Sequence, residues 1–138
     1  MNNNAKKWVQ ELRSGKWKQT RGALSYNRKT FCCLGVACEL YKRAHRDIQV
    51  KKFSSGKISY NGYTDTLPPV VCEWIGLADD SGSYLVKKDN VGIAETLVKA
   101  NDTGSTFSEI ADIVEAHSEL FDEPTTRNKR RQNDKAWL

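Results

Sequence analysis

Apolar residues recur at two different periods in this chain, and the period changes more than once. Ala5, Trp8, Val9 and Leu12 fall at i, i+3, i+4 and i+7, a stripe along one face of an α-helix. Ser14-Gly15 follows as a helix stop. Between Asp47 and Tyr63 the period is two. Ile48, Val50 and Phe53, then Ile58 and Tyr60, alternate with polar residues around Ser54-Ser55-Gly56, and Asn61-Gly62 closes the segment. Strand-period runs about a turn predict a β-hairpin. The two patterns are not interchangeable, because a strand changes face at every residue and a helix does not. The chain is therefore expected to be α+β, with four to five helices packed on a small antiparallel sheet in a single domain.

The remaining elements follow the same logic. A short strand is expected around Ala23–Tyr26. A helix is expected over Cys33–Ala44, with Cys33, Ala37, Leu40, Tyr41 and Ala44 on one face and Thr30 as its cap. Pro68-Pro69 opens a short helix that Gly76 closes, with Val70, Val71, Trp74 and Ile75 as its apolar residues. A loop over Asp79–Ser83 leads to a strand at Tyr84–Val86. Asn90 is placed to cap a helix carrying Val91, Ala94, Leu97 and Val98. Thr106-Phe107-Ser108-Glu109 is a capping box, with Phe107, Ile110, Ala111 and Val114 behind it. Periodicity ends near Pro124, which predicts a globular domain over 1–121 and a flexible basic tail over 122–138.

With 138 residues, 38% of them hydrophobic, and 13 aromatic side chains, one core can form without staples. No apolar run reaches the roughly 18 residues of a spanning helix, and the N-terminus lacks an apolar signal region. The expectation is a cytoplasmic protein without a membrane partner, whose Cys32, Cys33, Cys38 and Cys72 are reduced. Zinc spacing is absent: no C-x₂₋₄-C pair recurs, and Cys38 and His45 are about 10 Å of helical rise apart. The cysteines are read as small buried residues, and no metal or cofactor is expected.

Catalytic motifs are also missing. Gly56-Lys57 lacks the first glycine of a phosphate loop, and Asp79-Asp80 meets Gly82 too early for a calcium loop. His45 and His117 stand near helix ends, where the dipole accounts for them. Asn101-Asp102-x-Gly104 is read as a turn, with a small hydrolase built on Asn101 and Asp102 as the weakest functional alternative.

Charge is the strongest signal. The net +5 conceals +7 over residues 1–30, +4 over 31–60, −10 over 61–126 and +4 over 127–138. Lys16, Trp17, Lys18, Gln19, Arg21 and Arg28 combine cations with an aromatic ring, a composition suited to phosphates and bases. Arg127, Lys129, Arg130 and Arg131 extend it in the tail. The acidic half places Glu109, Asp112, Glu115 and Glu119 at helical spacing on one exposed face. Like charges so placed cost a few tenths of a kcal/mol per pair, so this stripe is an alternative surface for docking a basic partner or mimicking nucleic acid.

Four blocks in order give the chain a family likeness: Trp8-x₃-Leu12-Arg13-Ser14-Gly15-x₃-Gln19, Phe31-Cys32-Cys33-Leu34-Gly35-Val36-Ala37-Cys38, Leu67-Pro68-x₂-Val71-x₂-Trp74-Ile75-Gly76-Leu77, and Asn101-Asp102-x-Gly104-x₂-Phe107-x-Glu109-Ile110-Ala111-Asp112. Over about residues 6–116 it resembles a widespread family of small uncharacterised proteins of tailed bacteriophages and prophages. The tail after Glu123 looks like an extension that many relatives lack. The resemblance carries no catalytic residues. It implies an accessory protein that acts in the bacterial host cell by binding, in host takeover or counter-defence. The expected ligand is nucleic acid or nucleotide, and the alternative is a host or defence protein.

Overall fold

A computed structural model describes residues 1–121. Asn2 caps the first helix, α1 (Asn3–Arg13), by accepting the Ala5 N–H at 2.8 Å. Its stripe of Ala5, Trp8, Val9 and Leu12 is buried as the spacing requires. Completely burying Trp8 removes on the order of 200 Å² from water, about 5 kcal/mol of hydrophobic stabilisation. The indole N–H donates to the Cys33 carbonyl at 2.9 Å, so the burial leaves no unpaired donor.

Strands β1 (Ser25–Tyr26) and β2 (Thr30–Phe31) form a short antiparallel pair. They lead into α2 (Cys33–Ala44), the central helix, buried from Cys33 through Tyr41. Thr30 belongs to β2 and does not cap this helix. The cap is Cys32, whose sulfur accepts the Gly35 N–H at 3.4 Å. Gly35 has no alternative: a Cβ there would lie 1.8 Å from the Leu24 carbonyl oxygen. Next come the expected hairpin, β3 (Val50–Lys52) and β4 (Ile58–Tyr60), and then α3 (Pro69–Ile75). Gly76 ends α3 in the left-handed region at φ 78°.

The helix expected after Asn90 is a strand instead. β5 (Ser83–Lys88) and β6 (Val91–Thr96) pair antiparallel, with Lys88 opposite Val91. Between them Asp89 and Asn90 both have positive φ, 52° and 63°, the backbone of a tight two-residue hairpin turn. Asn90 is thus a turn residue, not a cap. The cap is Thr96, which opens the shorter α4 (Leu97–Asp102). Helix α5 (Phe107–Ala116) has the full capping box at Thr106 and Glu109. It stops at Ala116, so Glu119 lies in the following 3₁₀ turn, Ser118–Leu120, and not on the helix.

The fold is α+β. In place of one sheet there are three separate two-stranded antiparallel sheets, with α1, α3 and α4 packed on α2 and α5 packed on α1 and α4. Trp8, Leu34, Tyr60, Leu67, Ile75, Leu97 and Ile110 sit in one continuous core. Among the described residues no helix is long and apolar enough to cross a membrane.

Candidate anion-binding groove

The segment after α1 runs beside β2. The Phe31 N–H donates to the Lys18 carbonyl at 2.9 Å, and the Thr20 N–H donates to the Phe31 carbonyl at 2.8 Å. This pinning brings Lys16, Trp17 and Lys18 next to the β1–β2 turn and the outer face of α2. An open groove of about 360 Å³ results, lined by Glu11, Lys16, Trp17, Lys18, Arg28, Lys29, Phe31, Glu39 and Arg43. Five of these side chains are cationic and two are acidic, so the lining carries a net positive charge.

Its walls are held by specific contacts. The Trp17 indole N–H donates to Glu11 at 3.0 Å, and its ring meets Phe31 edge-on at 5.0 Å between centroids. The Arg43 guanidinium lies over the Trp17 ring, 4.8 Å from its centre, a cation–π contact. Arg28 is presented by a tight turn in which both Asn27 and Arg28 have positive φ, 58° and 54°. A non-glycine residue pays for that conformation. The Arg28 Nε and Nη2 donate to the two oxygens of Glu39 at 3.2 and 2.8 Å. Glu39 is only 7% exposed and also accepts the Tyr60 hydroxyl at 2.6 Å. These bonds with Glu39 raise Arg28 above the usual guanidinium range. Burial, then Glu39, pushes the Tyr60 hydroxyl up, so it remains a donor. Lys16, Lys18 and Lys29 are exposed and form no ion pair with a described residue.

Four of the six sequence candidates, Lys16, Trp17, Lys18 and Arg28, converge on this groove. Gln19 and Arg21 do not. The Gln19 amide donates to Asn101 and to the Ser105 carbonyl, both at 2.8 Å, and the Arg21 Nε donates to the Asn101 carbonyl at 3.3 Å. They tie the N-terminal segment to α4. Arg43, Glu39 and Glu11 were not anticipated as lining. The i, i+4 spacing of Glu39 and Arg43 on α2 was the available signal. Arg127, Lys129, Arg130 and Arg131 lie outside the described residues.

Residues 1–118 match the family described as Domain of unknown function (DUF8296). The chain belongs to that family. No curated protein and no solved structure matches it. The groove of this DUF8296 protein lies wholly within the matched span.

Other candidate groups are engaged within the fold. Asn101 is fully buried, and its amide oxygen accepts both Gln19 and the Cys33 N–H, while its amide nitrogen donates to the Thr20 carbonyl at 2.8 Å. Asp102 accepts the Gly22 N–H at 3.0 Å. Both residues tie segments of the fold together. Of the acidic residues, Glu109 closes the α5 cap, and Asp112 and Glu115 both take Arg13 of α1, at 2.8 and 3.1 Å. Glu119 accepts the Leu85 N–H at 3.1 Å and bonds His117 at 2.9 Å. The acid of this DUF8296 chain is thus partly neutralised by its own residues.

Burial pushes the Cys32 thiol up to about 11 and raises Cys33 and Cys38 as well. The Cys72 sulfur lies 3.2 Å from the Leu77 carbonyl. Among the described residues no cluster of three or more His, Cys, Asp or Glu is arranged to hold a metal. His45 ends α2 stacked on Tyr41, and His117 ends α5.

Proposed function

We propose that this protein binds a phosphate-bearing ligand, a nucleotide or a nucleic-acid strand, in the groove beside Trp17. It acts by binding and not by catalysis. The observation that carries the reading is the presence of three exposed lysines without an ion pair to any described residue, Lys16, Lys18 and Lys29, around a ring that already holds Arg43. Lysines so placed neutralise phosphate without first breaking a bridge. Arg28 is oriented in advance by Glu39, which lowers the ordering cost of binding. A volume of about 360 Å³ is at the small end of small-molecule sites, enough for a nucleotide or a strand terminus.

The resemblance to small phage and prophage proteins supports a setting in the cytoplasm of a bacterial host, as an accessory protein of host takeover or counter-defence. Sequestering a nucleotide or covering a nucleic-acid end suits a protein with an open cationic groove.

The test is anisotropy of two fluorescent probes, a labelled nucleoside triphosphate and a labelled single-stranded decanucleotide, across a salt series. Binding to phosphate loses affinity log-linearly with salt, with a slope of about −0.7 per phosphate contact on a single strand. Tighter binding of one probe identifies the form of ligand. Salt-independent binding, or none at low salt, overturns the proposal.

A further inference from the structure

Strand β6 has an open edge, and we infer that this edge pairs with the β6 of a second copy of the chain. The β5–β6 sheet has two outer edges, and they differ. The outer edge of β5 is covered at Leu85, whose N–H donates to the Glu119 carboxylate at 3.1 Å. On β6, Val91, Gly92, Ile93 and Ala94 are all exposed. No described residue outside β5 hydrogen-bonds their backbone. A two-residue turn makes Lys88 and Val91 a pair that exchange hydrogen bonds, so alternate residues face outward. On β5 this points Leu85 outward, as its bond to Glu119 confirms. On β6 it points Gly92 and Ala94 outward.

Exposed edges normally carry a lysine, a proline or a bulge that prevents pairing. Val91-Gly92-Ile93-Ala94-Glu95 has none of these, and its exposed side chains include Val91 at 61% and Ile93 at 39%. No described residue lies within 4 Å of a Cβ built on Gly92, so none of them blocks the approach.

The sequence of this edge is complementary to itself. In an antiparallel register centred on Ile93, Gly92 of each copy faces Ala94 of the other, and all their outward N–H and C=O groups are used. Ile93 then lies beside its counterpart, flanked by Val86 on each β5, which makes an apolar row across four strands. Charge agrees with that register. Glu95, on the same face as Ile93, falls in the row of the second copy's Val91 and Lys88. The two lysine pairs, Lys87 and Lys88 of each copy, are carried to opposite ends of the new sheet. A second copy is therefore the occupant, because the register, the apolar row and the charges are all satisfied by one segment repeated.

Sedimentation equilibrium of the full chain gives the first readout: a concentration-dependent dimer is expected. Gly92→Pro removes an outward N–H without touching a β5 bond, and Ile93→Lys places a charge at the centre. Each should weaken dimerisation at least tenfold while circular dichroism stays native. Ile93→Cys supplies a readout that does not depend on either variant. Two such residues in a non-hydrogen-bonded pair come within disulfide reach, so mild oxidation should yield a covalent dimer above the wild-type background. Val91→Cys, paired with Glu95 of the other copy, should not. A chain that stays monomeric up to millimolar concentration, including one whose edge serves a different protein, overturns the inference. So does a dimer indifferent to Gly92→Pro and Ile93→Lys, or equal cross-linking at positions 91 and 93.

Discussion

Arg28 reaches the buried Glu39 through two hydrogen bonds, Nε to Oε2 at 3.2 Å and Nη2 to Oε1 at 2.8 Å. The pair joins the groove to the core, because Glu39 also accepts the Tyr60 hydroxyl, and Tyr60 is fully buried on β4. A carboxylate this deep is tolerated only while its oxygens are satisfied.

Breaking that arrangement from the core side tests it. Tyr60→Phe removes one donor and should cost about 1–3 kcal/mol, since bonds to charged groups exceed neutral ones. Glu39→Gln should cost a similar amount, reduced by the partial exposure of Arg28. The two losses should couple in a double-mutant cycle by about 1 kcal/mol. Urea denaturation supplies the numbers, and strictly additive losses would show that the bond at 2.6 Å contributes little.

Gly35 is the position least able to change. Its missing Cβ is the space occupied by the Leu24 carbonyl, only 1.8 Å away. That carbonyl also accepts the Cys32 N–H at 3.0 Å, so it cannot retreat without losing a bond. Gly35→Ala should destabilise by about 3 kcal/mol or more, the range of severe overpacking. A variant with a wild-type thermal midpoint would contradict this packing.

Asn101 carries the long-range closure of the fold. Its amide joins Gln19, Thr20 and Cys33 to α4. Asn101→Ala leaves the buried Cys33 N–H and two half-buried partners, the Gln19 amide and the Thr20 carbonyl, each short of a bond, and should cost about 2–4 kcal/mol. Gln19→Ala should cost less, because Gln19 is only half-buried. Denaturant midpoints in the reverse order would refute the assignment of Asn101 as the hub.

Glu119 sets an acid dependence. Its bond with His117, then the backbone N–H groups, lower it from 4.5 to about 2. A lowered carboxyl stabilises the fold above its unfolded value, and that stabilisation is lost as pH falls through the folded value. The advantage of wild type over Glu119→Gln in thermal midpoint should therefore be present at about pH 5. It should shrink between about pH 4.5 and 2. An advantage that grows on acidification would reverse the sign and exclude this role.

Local patterns made much of the fold legible. Trp8 and Leu12 on α1, Gly76 after α3 and the Thr106–Glu109 box each act within a turn of themselves, and each stands where its spacing put it. The failure at Val91–Thr96 has a physical reason. Val91, Ala94, Leu97 and Val98 satisfy a helical period, but the left-handed turn at Asp89-Asn90 folds Val91 back on Lys88 and commits Val91–Thr96 to a strand, so that only Leu97 and Val98 are helical.

For the site, adjacency in sequence gathered Lys16, Trp17, Lys18 and Arg28. It could not separate them from Gln19 and Arg21, which turn to Asn101 across about 80 residues of sequence. Nor could it find Arg43, whose place over Trp17 is a tertiary contact. The acidic spacing at Asp112 and Glu115 was correct, but their partner Arg13 lies about 100 residues away.

The central claim is that the groove beside Trp17 binds phosphate. The most direct measurement is an anisotropy titration of the labelled nucleoside triphosphate and decanucleotide with wild type, Lys16→Glu/Lys18→Glu and Lys6→Glu/Lys7→Glu. The last pair reverses the same charge on α1, outside the groove lining. The account predicts saturable binding of at least one probe by wild type, weakened at least tenfold by the first double variant and far less by the second. Equal losses in the two double variants, or no saturable binding of either probe by wild type at low salt, would contradict it.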